Sequence, residues 1–295
     1  MAQAPASRLT AFPRPQPAHV AAGKQGEGLG GRCFCGEEQY SIVRSGEYNR
    51  LEVHGYRFSI LKCVACDLAR TTPAPDTRQY ASGFSLTTRS GEFVGATQDA
   101  WSAAVARDIA RRGTGKRLLD IGCHVGNLVE AAGEIGFDAH GIDLDPVATA
   151  RGRQLGRALE NRALGDLNET FDAVVLVHVL EHVHELRTFL FHLERVLVPG
   201  GLAFVYVPHY RGLIPRLMRD SWMGWFPQQH VWHFTPTTLA RAVETTTRLR
   251  MTDCTTHGVI EPPSTGVKGA GKSAISAFSR SVGWGDGIEA VFKNA

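Results

Sequence analysis

The sequence has no apolar run of about 18 residues, the length that a membrane-spanning helix needs, so we expect no transmembrane segment. Its 32 basic and 29 acidic residues leave a formal charge of only +3, which does not indicate a nucleic-acid partner. Residues 1–30 are rich in Ala, Pro and Gly and lack the compact apolar core of a secretory signal. We therefore expect a cytoplasmic protein that begins with a flexible tail. No internal repeat is visible, and no pattern indicates an oligomeric state.

Cysteines are few, but four of the six form two close pairs, Cys33-x-Cys35 and Cys63-x-x-Cys66. In a cytoplasmic chain such pairs favour metal over disulfides, and the second pair has the spacing of a tetrahedral zinc knuckle. Alternating segments around them predict short strands, so we expect a zinc-ribbon-like module with a structural zinc ion over residues 31–75. A redox-active pair and unpaired buried thiols are the alternatives, although no thioredoxin-like pattern surrounds the cysteines.

Strands and helices alternate after a polar linker, residues 76–97, and an amphipathic helix, DAWSAAVARDIARR. The strongest strand patterns are RLLDIG, DAHGIDL, FDAVVLVHV and LAFVYVP. Nearly continuous apolar strands in such an alternation predict a doubly wound, mainly parallel α/β sheet. With 43% apolar residues the chain can bury the core of such a domain.

The stretch LLDIGCHVGNL carries the clearest signal of a binding site. A buried strand runs into Asp120-x-Gly122-x-x-x-Gly126, and glycines at such a turn let the backbone approach a ligand closely. About twenty residues later a second strand ends in GIDLDP, which puts Asp143 where a carboxylate accepts hydrogen bonds from ribose hydroxyls. The pattern predicts a nucleoside site, with an ordinary strand–helix turn as the alternative. A dinucleotide oxidoreductase would instead show G-x-G-x-x-G.

The same stretch resembles the first motif of the class I S-adenosylmethionine-dependent methyltransferases, a strand ending in D-x-G-x-G-x-G. It matches at Asp120, Gly122 and Gly126, and it departs at His124, where the middle glycine usually stands. FDAVVLVHVLEHV is similar to the family's fourth strand, and LERVLVPGGLAFVYVP to its later helix, turn and fifth strand. The resemblance covers residues 98–295 and implies a Rossmann-like seven-stranded sheet with a late antiparallel strand.

The resemblance also implies S-adenosyl-L-methionine as the cofactor. Gly122 and Gly126 would line its amino-acid and ribose moieties. Asp143 would hold the ribose hydroxyls, and Asp166 would contact the adenine amino group. The predicted cofactor-binding residues are Asp120, Gly122, Cys123, His124, Gly126, Asp143, Leu144, Asp166 and His178.

An aromatic loop, DSWMGWFPQQHVWHFTP at residues 220–236, follows the fifth strand, where doubly wound sheets form their substrate crevice. The predicted substrate-binding residues are Trp222, Trp225, Trp232 and His233; a hydrophobic plug is the alternative. The loop is similar to the E-H-x-x-Y-F-S stretch of sugar C-methyltransferases, and this resemblance implies His230 as the general base. Gln229 replaces the acidic neighbour. The implied acceptor is a small molecule, a sugar nucleotide or another precursor of secondary metabolites or glycans.

Two other patterns match motifs of different enzymes. HVLEH, residues 178–182, fits the zinc-protease pattern H-x-x-E-H, but a strand leads directly into it and no third ligand is evident. We interpret it as the lip of the cofactor pocket. GVKGAGKS, residues 266–273, fits the phosphate-binding pattern G-x-x-x-x-G-K-[ST], but EPPST precedes it in place of a buried strand. We interpret it as a basic surface loop.

Two other functions stay open at this point. Some rRNA methyltransferases carry an N-terminal zinc module, so an rRNA or tRNA methyltransferase that docks RNA through the module is one alternative. Against it, basic and acidic residues nearly cancel in the module, and no dense basic stripe is present. The other alternative is an adaptor without catalytic activity, whose loop binds the cofactor poorly because His124 replaces a glycine.

Overall fold

A computed structural model describes residues 32–50, 53–76, 96–113, 115–219, 222–257 and 285–295. The predicted tail (residues 1–30), most of the linker (76–97) and the phosphate-binding pattern (266–273) lie outside the described residues. Within the described part of the chain, no helix combines the length and the apolar character that crossing a bilayer requires.

The described residues form eleven strands and six α-helices. The strands are β1 (Tyr40–Arg50), β2 (Val53–Cys63), β3 (Ala69–Thr72), β4 (Arg117–Ile121), β5 (Asp138–Asp143), β6 (Leu159–Asn161), β7 (Phe171–Val177), β8 (Leu197–Pro208), β9 (Trp232–His233), β10 (Leu249–His257) and β11 (Gly287–Asn294). The helices are α1 (Ala96–Arg111), α2 (Asn127–Glu134), α3 (Pro146–Gln154), α4 (Leu186–Arg195), α5 (Leu213–Met218) and α6 (Pro236–Glu244).

Seven strands form one sheet in the order β10-β11-β8-β7-β4-β5-β6. All pairs from β8 to β6 are parallel, whereas β11 is antiparallel to both of its neighbours. The predicted doubly wound sheet with a late antiparallel strand is therefore confirmed. Strands β10 and β11 together form one end of the sheet, with β10 as its edge strand.

The central strand β4 is buried on both faces. Leu118 packs into a cluster with residues of α1 and α2. Leu119 and Ile121 point to the opposite face and pack into the larger cluster, which includes α4 and α6. Successive side chains of a strand alternate between faces, so a strand covered by helices on both sides must be apolar almost throughout. This burial explains the unbroken apolar run that precedes the first binding motif.

Helix caps fix the loops that lead away from the sheet. At the start of α3, Asp145 Oδ1 accepts hydrogen bonds from the backbone N–H groups of Val147 (2.8 Å) and Ala148 (3.1 Å). At the start of α6, Thr235 and Thr238 form a reciprocal capping box. These caps satisfy amide groups that a helix leaves open at its first turn. They hold the chain just after Asp143 and just after β9.

A second, antiparallel sheet has the order β1-β2-β3-β9. Its first three strands carry the four predicted zinc ligands or lie next to them; we call this region the cysteine module. The fourth strand comes from the aromatic loop, with Ala69 opposite His233 and Arg70 opposite Trp232. The cysteine module and the aromatic loop therefore share one sheet.

Candidate functional site

The order of the large sheet identifies the position of the crevice. From β4 the chain proceeds outward through β5 and β6, and β7 and β8 then lie on the other side of β4. Ligands of doubly wound sheets bind at this point of reversal, beyond the carboxyl ends of the strands. Two loops meet there: residues 122–126 after β4, which we call the cofactor loop, and residues 178–182 after β7.

Backbone conformation explains the glycines of the cofactor loop. Gly122 has φ +74°, and a Cβ atom there would lie 2.5 Å from Val179 Cγ2. Gly126 has φ +83°, and a Cβ atom there would lie 2.7 Å from Leu159 Cδ2. His124 also adopts a left-handed conformation, with φ 51°. Histidine is among the residues that enter this region more readily than most, so the loop turns as it would with glycine at that position.

Asp143 joins the carboxyl ends of β4 and β5. Its Oδ2 accepts a hydrogen bond from the backbone N–H of His124, and its Oδ1 from that of Asp145, each at 2.8 Å. A carboxylate offers about four acceptor positions, so both oxygens keep capacity for a diol. Leu144 follows with 52% of its surface exposed. The pair presents a carboxylate and an apolar side chain at the crevice, as a ribose and a base would require.

Burial keeps Asp120 of β4 and two side chains of the cofactor loop, Cys123 and His124, mainly uncharged. It raises the pKa of the Asp120 carboxyl to about 8, together with the negative charge of Asp143. It raises the pKa of the Cys123 thiol and lowers that of the His124 imidazole. At neutral pH these three side chains are therefore mainly neutral.

The two remaining predicted cofactor residues are Asp166 and His178, and His178 begins the loop at the rim of the crevice. Asp166 is exposed and ends a 3₁₀ turn, Leu164–Asp166. His178 follows β7 directly with φ 53°, and its Nδ1 lies 3.0 Å from Oε1 of Glu181.

A cluster of Glu181, His182 and His230 lies beside this rim; we call it the Glu–His–His cluster. One potential ligand atom of each residue lies within 4.8 Å of the other two. Nδ1 of His182 is 3.1 Å from the carbonyl of Gln229, and Nδ1 of His230 is 2.9 Å from the carbonyl of Gly224. The sequence showed no third ligand for the H-x-x-E-H pattern because His230 follows far downstream. The fold brings it to Glu181 and His182, whereas His178 bonds to Glu181.

Thr71 of β3 holds the backbone around His230. Its hydroxyl donates to the carbonyl of His230 at 2.7 Å and lies 2.9 Å from Nε2 of His233. Because that hydroxyl proton is used, His233 donates its Nε2–H to Thr71. Burial lowers the pKa of His233 to about 3. Burial, with His182 and His233 nearby, also lowers the pKa of His230 well below its usual range, so both imidazoles are neutral.

The predicted substrate-binding tryptophans are all buried. Trp222 and Trp225 pack together with Phe58 and Ile60 of the cysteine module. The indole N–H of Trp232 donates to the carbonyl of Val183 at 2.7 Å. The three side chains thus attach the aromatic loop to its surroundings, and their contact with a substrate stays a prediction, as does that of His233.

The four predicted zinc ligands come together. Their sulfur atoms all lie within 4.8 Å of one another, with Cys33 to Cys66 and Cys35 to Cys63 each at 3.5 Å. A tetrahedral zinc ion with bonds of about 2.3 Å requires sulfur–sulfur distances of about 3.8 Å. The short Cys33-x-Cys35 pair reaches the site through a tight turn, in which Gly36 donates to the Cys33 carbonyl at 2.8 Å. The donor set fits a structural zinc ion.

The doubly wound sheet, the left-handed loop after β4 and the carboxylate at the end of β5 form an α/β arrangement whose ligand crevice lies beyond the carboxyl ends of the strands. Residues 93–246, just over half of the chain, match the family model described as "Methyltransferase domain". The chain therefore belongs to this methyltransferase family.

The relatives include ubiquinone biosynthesis O-methyltransferases. The protein of Rhizobium leguminosarum is 31% identical over 136 residues, which are 43% of this chain and 52% of that one. The human mitochondrial protein is 38% identical over 105 residues, which are 31% of this chain and 28% of that one. The chain thus spans about half of the bacterial relative and a smaller share of the human one.

Solved structures with detectable similarity have low sequence identity. A S-adenosylmethionine-dependent methyltransferase from Archaeoglobus fulgidus is 17% identical, with a TM-score of 0.48, over 66% of this chain and 94% of that one. The 1,6-didemethyltoxoflavin-N1-methyltransferase of Burkholderia thailandensis, with bound 1,6-didemethyltoxoflavin and S-adenosylhomocysteine, is 16% identical. Its TM-score is 0.48, over 84% of this chain and 99% of that one.

Proposed function

We propose that the chain transfers a methyl group from S-adenosyl-L-methionine to a small molecule. The observation that carries the proposal is the position of Asp143, whose carboxylate lies at the end of β5 and accepts the His124 N–H of the cofactor loop. This arrangement suits a ribose diol beside a backbone turn that glycine and left-handed residues keep open. Membership of the methyltransferase family supports S-adenosyl-L-methionine as the source of this nucleoside.

The cofactor supplies an activated methyl group, so the protein mainly has to align the acceptor with it. The residues of the cofactor loop and Asp143 bind the nucleoside, and the exposed Leu144 and Asp166 are assigned to its base. His124 fits this loop with φ 51°, which argues against an adaptor that has lost its binding site.

The acceptor atom is proposed to be oxygen, because the two sequence relatives described above are O-methyltransferases. We also keep the acceptor class that the sequence predicts as part of this proposal. That class is a sugar nucleotide or another precursor of secondary metabolites or glycans. A hydroxyl acceptor must lose its proton. We assign this role to the Glu–His–His cluster, which contains His230, the base predicted from the sequence.

The cysteine module is proposed to bind a structural zinc ion and to support the aromatic loop. Thr71 bonds to the His230 carbonyl and to the His233 ring, and β3 pairs with β9. Through these contacts the module supports the segment that contains His230. A module that only docks RNA would not need such contacts. They favour a small-molecule acceptor over rRNA or tRNA.

The proposal is tested by calorimetry with S-adenosylhomocysteine and the full-length protein. Asp143→Asn should weaken binding by about 10- to 100-fold, because a hydrogen bond to a charged group contributes about 1.5–3 kcal/mol. Asp138→Asn, at the other end of β5, makes the same chemical change on an exposed side chain and should bind normally. If the two variants bound S-adenosylhomocysteine with equal affinity, Asp143 would not be a cofactor-binding residue.

Acceptors are then screened with labelled S-adenosylmethionine against sugar nucleotides and small hydroxylated compounds. Label should enter one of these classes, and His230→Asn should abolish transfer while leaving S-adenosylhomocysteine binding intact. Label that enters rRNA or tRNA fragments instead would overturn the choice of a small-molecule acceptor.

A further inference from the structure

Arg157 lies in the short connection between α3 and β6, and its side chain reaches the cofactor loop. Its Nη1 donates to the carbonyl of Val125 at 2.8 Å and to Oδ1 of Asn127 at 2.7 Å, and its Nη2 donates to Oε2 of Glu130. Only 9% of the side chain is exposed. A guanidinium group is planar and always charged, so these bonds fix its orientation. Arg157 thus joins the cofactor loop to the first turn of α2.

The peptide group between Val125 and Gly126 is held at both ends. Its carbonyl accepts from Arg157, and its N–H donates to the carbonyl of Cys123 at 2.8 Å. Gly126 has φ +83°, and His124 on the other side of Val125 has φ 51°. Glycine populates positive and negative φ about equally, so the torsions of Gly126 alone do not keep this peptide plane in one orientation. The bond from Arg157 restrains it.

Gly152 of α3 leaves room for the same carbonyl. A Cβ atom at position 152 would lie 2.5 Å from the oxygen of Val125 and 2.2 Å from Cδ1 of Leu159. Glycine inside a helix usually lowers stability relative to alanine. The close approach of the loop carbonyl explains why glycine stands here, because no space remains for a side chain. The carbonyl of Val125 therefore lies in a slot formed by Arg157, Gly152 and Leu159.

We propose that Arg157 is a positioning residue for the cofactor loop and that Gly152 completes the slot for the Val125 carbonyl. This inference rests on the proposed function, in which that loop binds the nucleoside of S-adenosyl-L-methionine. The N–H of the neighbouring His124 donates to Asp143, the carboxylate assigned to the ribose. A displacement of the Val125 carbonyl would therefore change the loop and its bond to that carboxylate together. Arg157 acts through the backbone and does not itself have to touch the cofactor.

The test is calorimetry of the full-length protein with S-adenosylhomocysteine, at a temperature where circular dichroism shows that each variant is folded. Arg157→Gln removes the charge and the fork of donors. It should weaken binding by about 5- to 30-fold, the range typical of residues that modulate a site without touching its ligand. Arg157→Lys keeps one charged donor for the Val125 carbonyl and should restore part of the affinity. Arg151→Gln makes the same change at an exposed position of α3 and should bind normally.

Gly152→Ala acts on the Val125 carbonyl from the other side and leaves Arg157 unchanged. The added carbon should displace the carbonyl and weaken binding by a similar factor. Gly133→Ala is its control, because nothing lies within 4 Å of the added carbon in α2. With an acceptor found by the screen above, Arg157→Gln should raise the KM for S-adenosylmethionine. The kcat at saturating cofactor and the KM for the acceptor should stay near those of the wild type. A residue that only stabilises the fold would not produce this split.

If Arg157→Gln and Gly152→Ala both bound S-adenosylhomocysteine with wild-type affinity, the inference would be wrong. A lower kcat with an unchanged KM for S-adenosylmethionine would also overturn it. If Arg157→Gln does not fold, Arg157→Lys and Gly152→Ala decide. A wild-type protein that binds no S-adenosylhomocysteine would overturn the proposed function, and this inference with it. A wild-type protein that binds it no more tightly than these variants would overturn this inference alone.

Discussion

Gly122 and His124 show how single residues set the course of the cofactor loop. Both have positive φ, although one is glycine and the other is not. The requirement at Gly122 is steric as well as conformational, because Val179 occupies the space of a β-carbon. At His124 the only requirement is the left-handed backbone conformation, which histidine adopts more readily than most residues. The departure from the family motif is therefore compatible with the same turn.

Gly122→Ala should lower the free energy of unfolding by about 2–4 kcal/mol, through backbone strain and the collision with Val179. Gly133→Ala is the matched control, because Gly133 lies inside α2 with nothing within 4 Å of the added carbon. That change should raise stability by about 0.5–1 kcal/mol. Urea unfolding of the two variants compares them. Similar effects of both substitutions would contradict the described loop geometry.

Asp120 predicts a dependence of stability on pH. Its pKa is raised to about 8 in the folded protein by burial and the charge of Asp143, whereas an unfolded aspartate titrates near about 3.9. Between these values the folded state keeps a proton that the unfolded state has lost, so stability falls as pH rises through this window. Asp120→Asn should remove that slope and gain stability relative to the wild type from pH 5 to pH 8. Parallel stability profiles would show that Asp120 ionises normally.

Sequence reasoning named most residues that the structure gathers at the crevice, because strand ends and glycine turns have recognisable local patterns. It placed Glu181 and His182 only at the lip of the cofactor pocket, without their contact to His230, and it missed Thr71. Glu181 and His182 were visible in the H-x-x-E-H pattern, but their partner His230 comes from a distant loop. Thr71 has no local signal at all. Its contacts depend on the pairing of β3 with β9, which no short window of sequence contains.

The segment around His230 connects two elements of the fold. On one side, the Val231 N–H donates to the Glu181 carbonyl at 2.7 Å. On the other side, the Thr71 N–H donates to the Val231 carbonyl at 2.9 Å. A strand of two residues is too short to show alternation, so β9 could not be predicted from the sequence. The longer strands of both sheets can be recognised in the sequence from their alternating or continuous apolar residues.

Thr71→Val keeps the shape of the side chain and removes the hydroxyl that bonds to His230 and His233. It should cost about 1–3 kcal/mol of stability, because a buried carbonyl and ring N–H lose their partner. It should also reduce methyl transfer more than S-adenosylhomocysteine binding. Thr188→Val, on an exposed position of α4, is the control and should change neither quantity. If the Thr71→Val protein had wild-type stability and turnover, the cysteine module would not support the residues around His230.

At the scale of the whole molecule, the two sheets are connected at the aromatic loop and at the cysteines. Arg241 of α6 donates to the carbonyl of Cys66 at 3.1 Å, and the guanidinium of Arg187 in α4 stacks 4.3 Å from the ring centroid of Phe34. Loss of metal from the four thiols should therefore affect the methyltransferase domain as well as the module.

Cys63→Ser should remove the zinc equivalent bound by the cysteine module, lower Tm by at least about 5 °C and decrease methyl transfer. Cys254→Ser, on β10 and away from the other cysteines, should preserve metal content, Tm and activity. Metal analysis and thermal unfolding measure both variants. Equal zinc contents in the two proteins would mean that the four thiols hold no ion.

We predict that the crevice binds the nucleoside of S-adenosylmethionine and not a dinucleotide. This prediction is tested most directly by calorimetric titration of the full-length protein with S-adenosylhomocysteine and, separately, with NAD⁺. We predict one S-adenosylhomocysteine per chain and no competition by NAD⁺. Binding of NAD⁺ with no binding of S-adenosylhomocysteine would show that the crevice is a dinucleotide site.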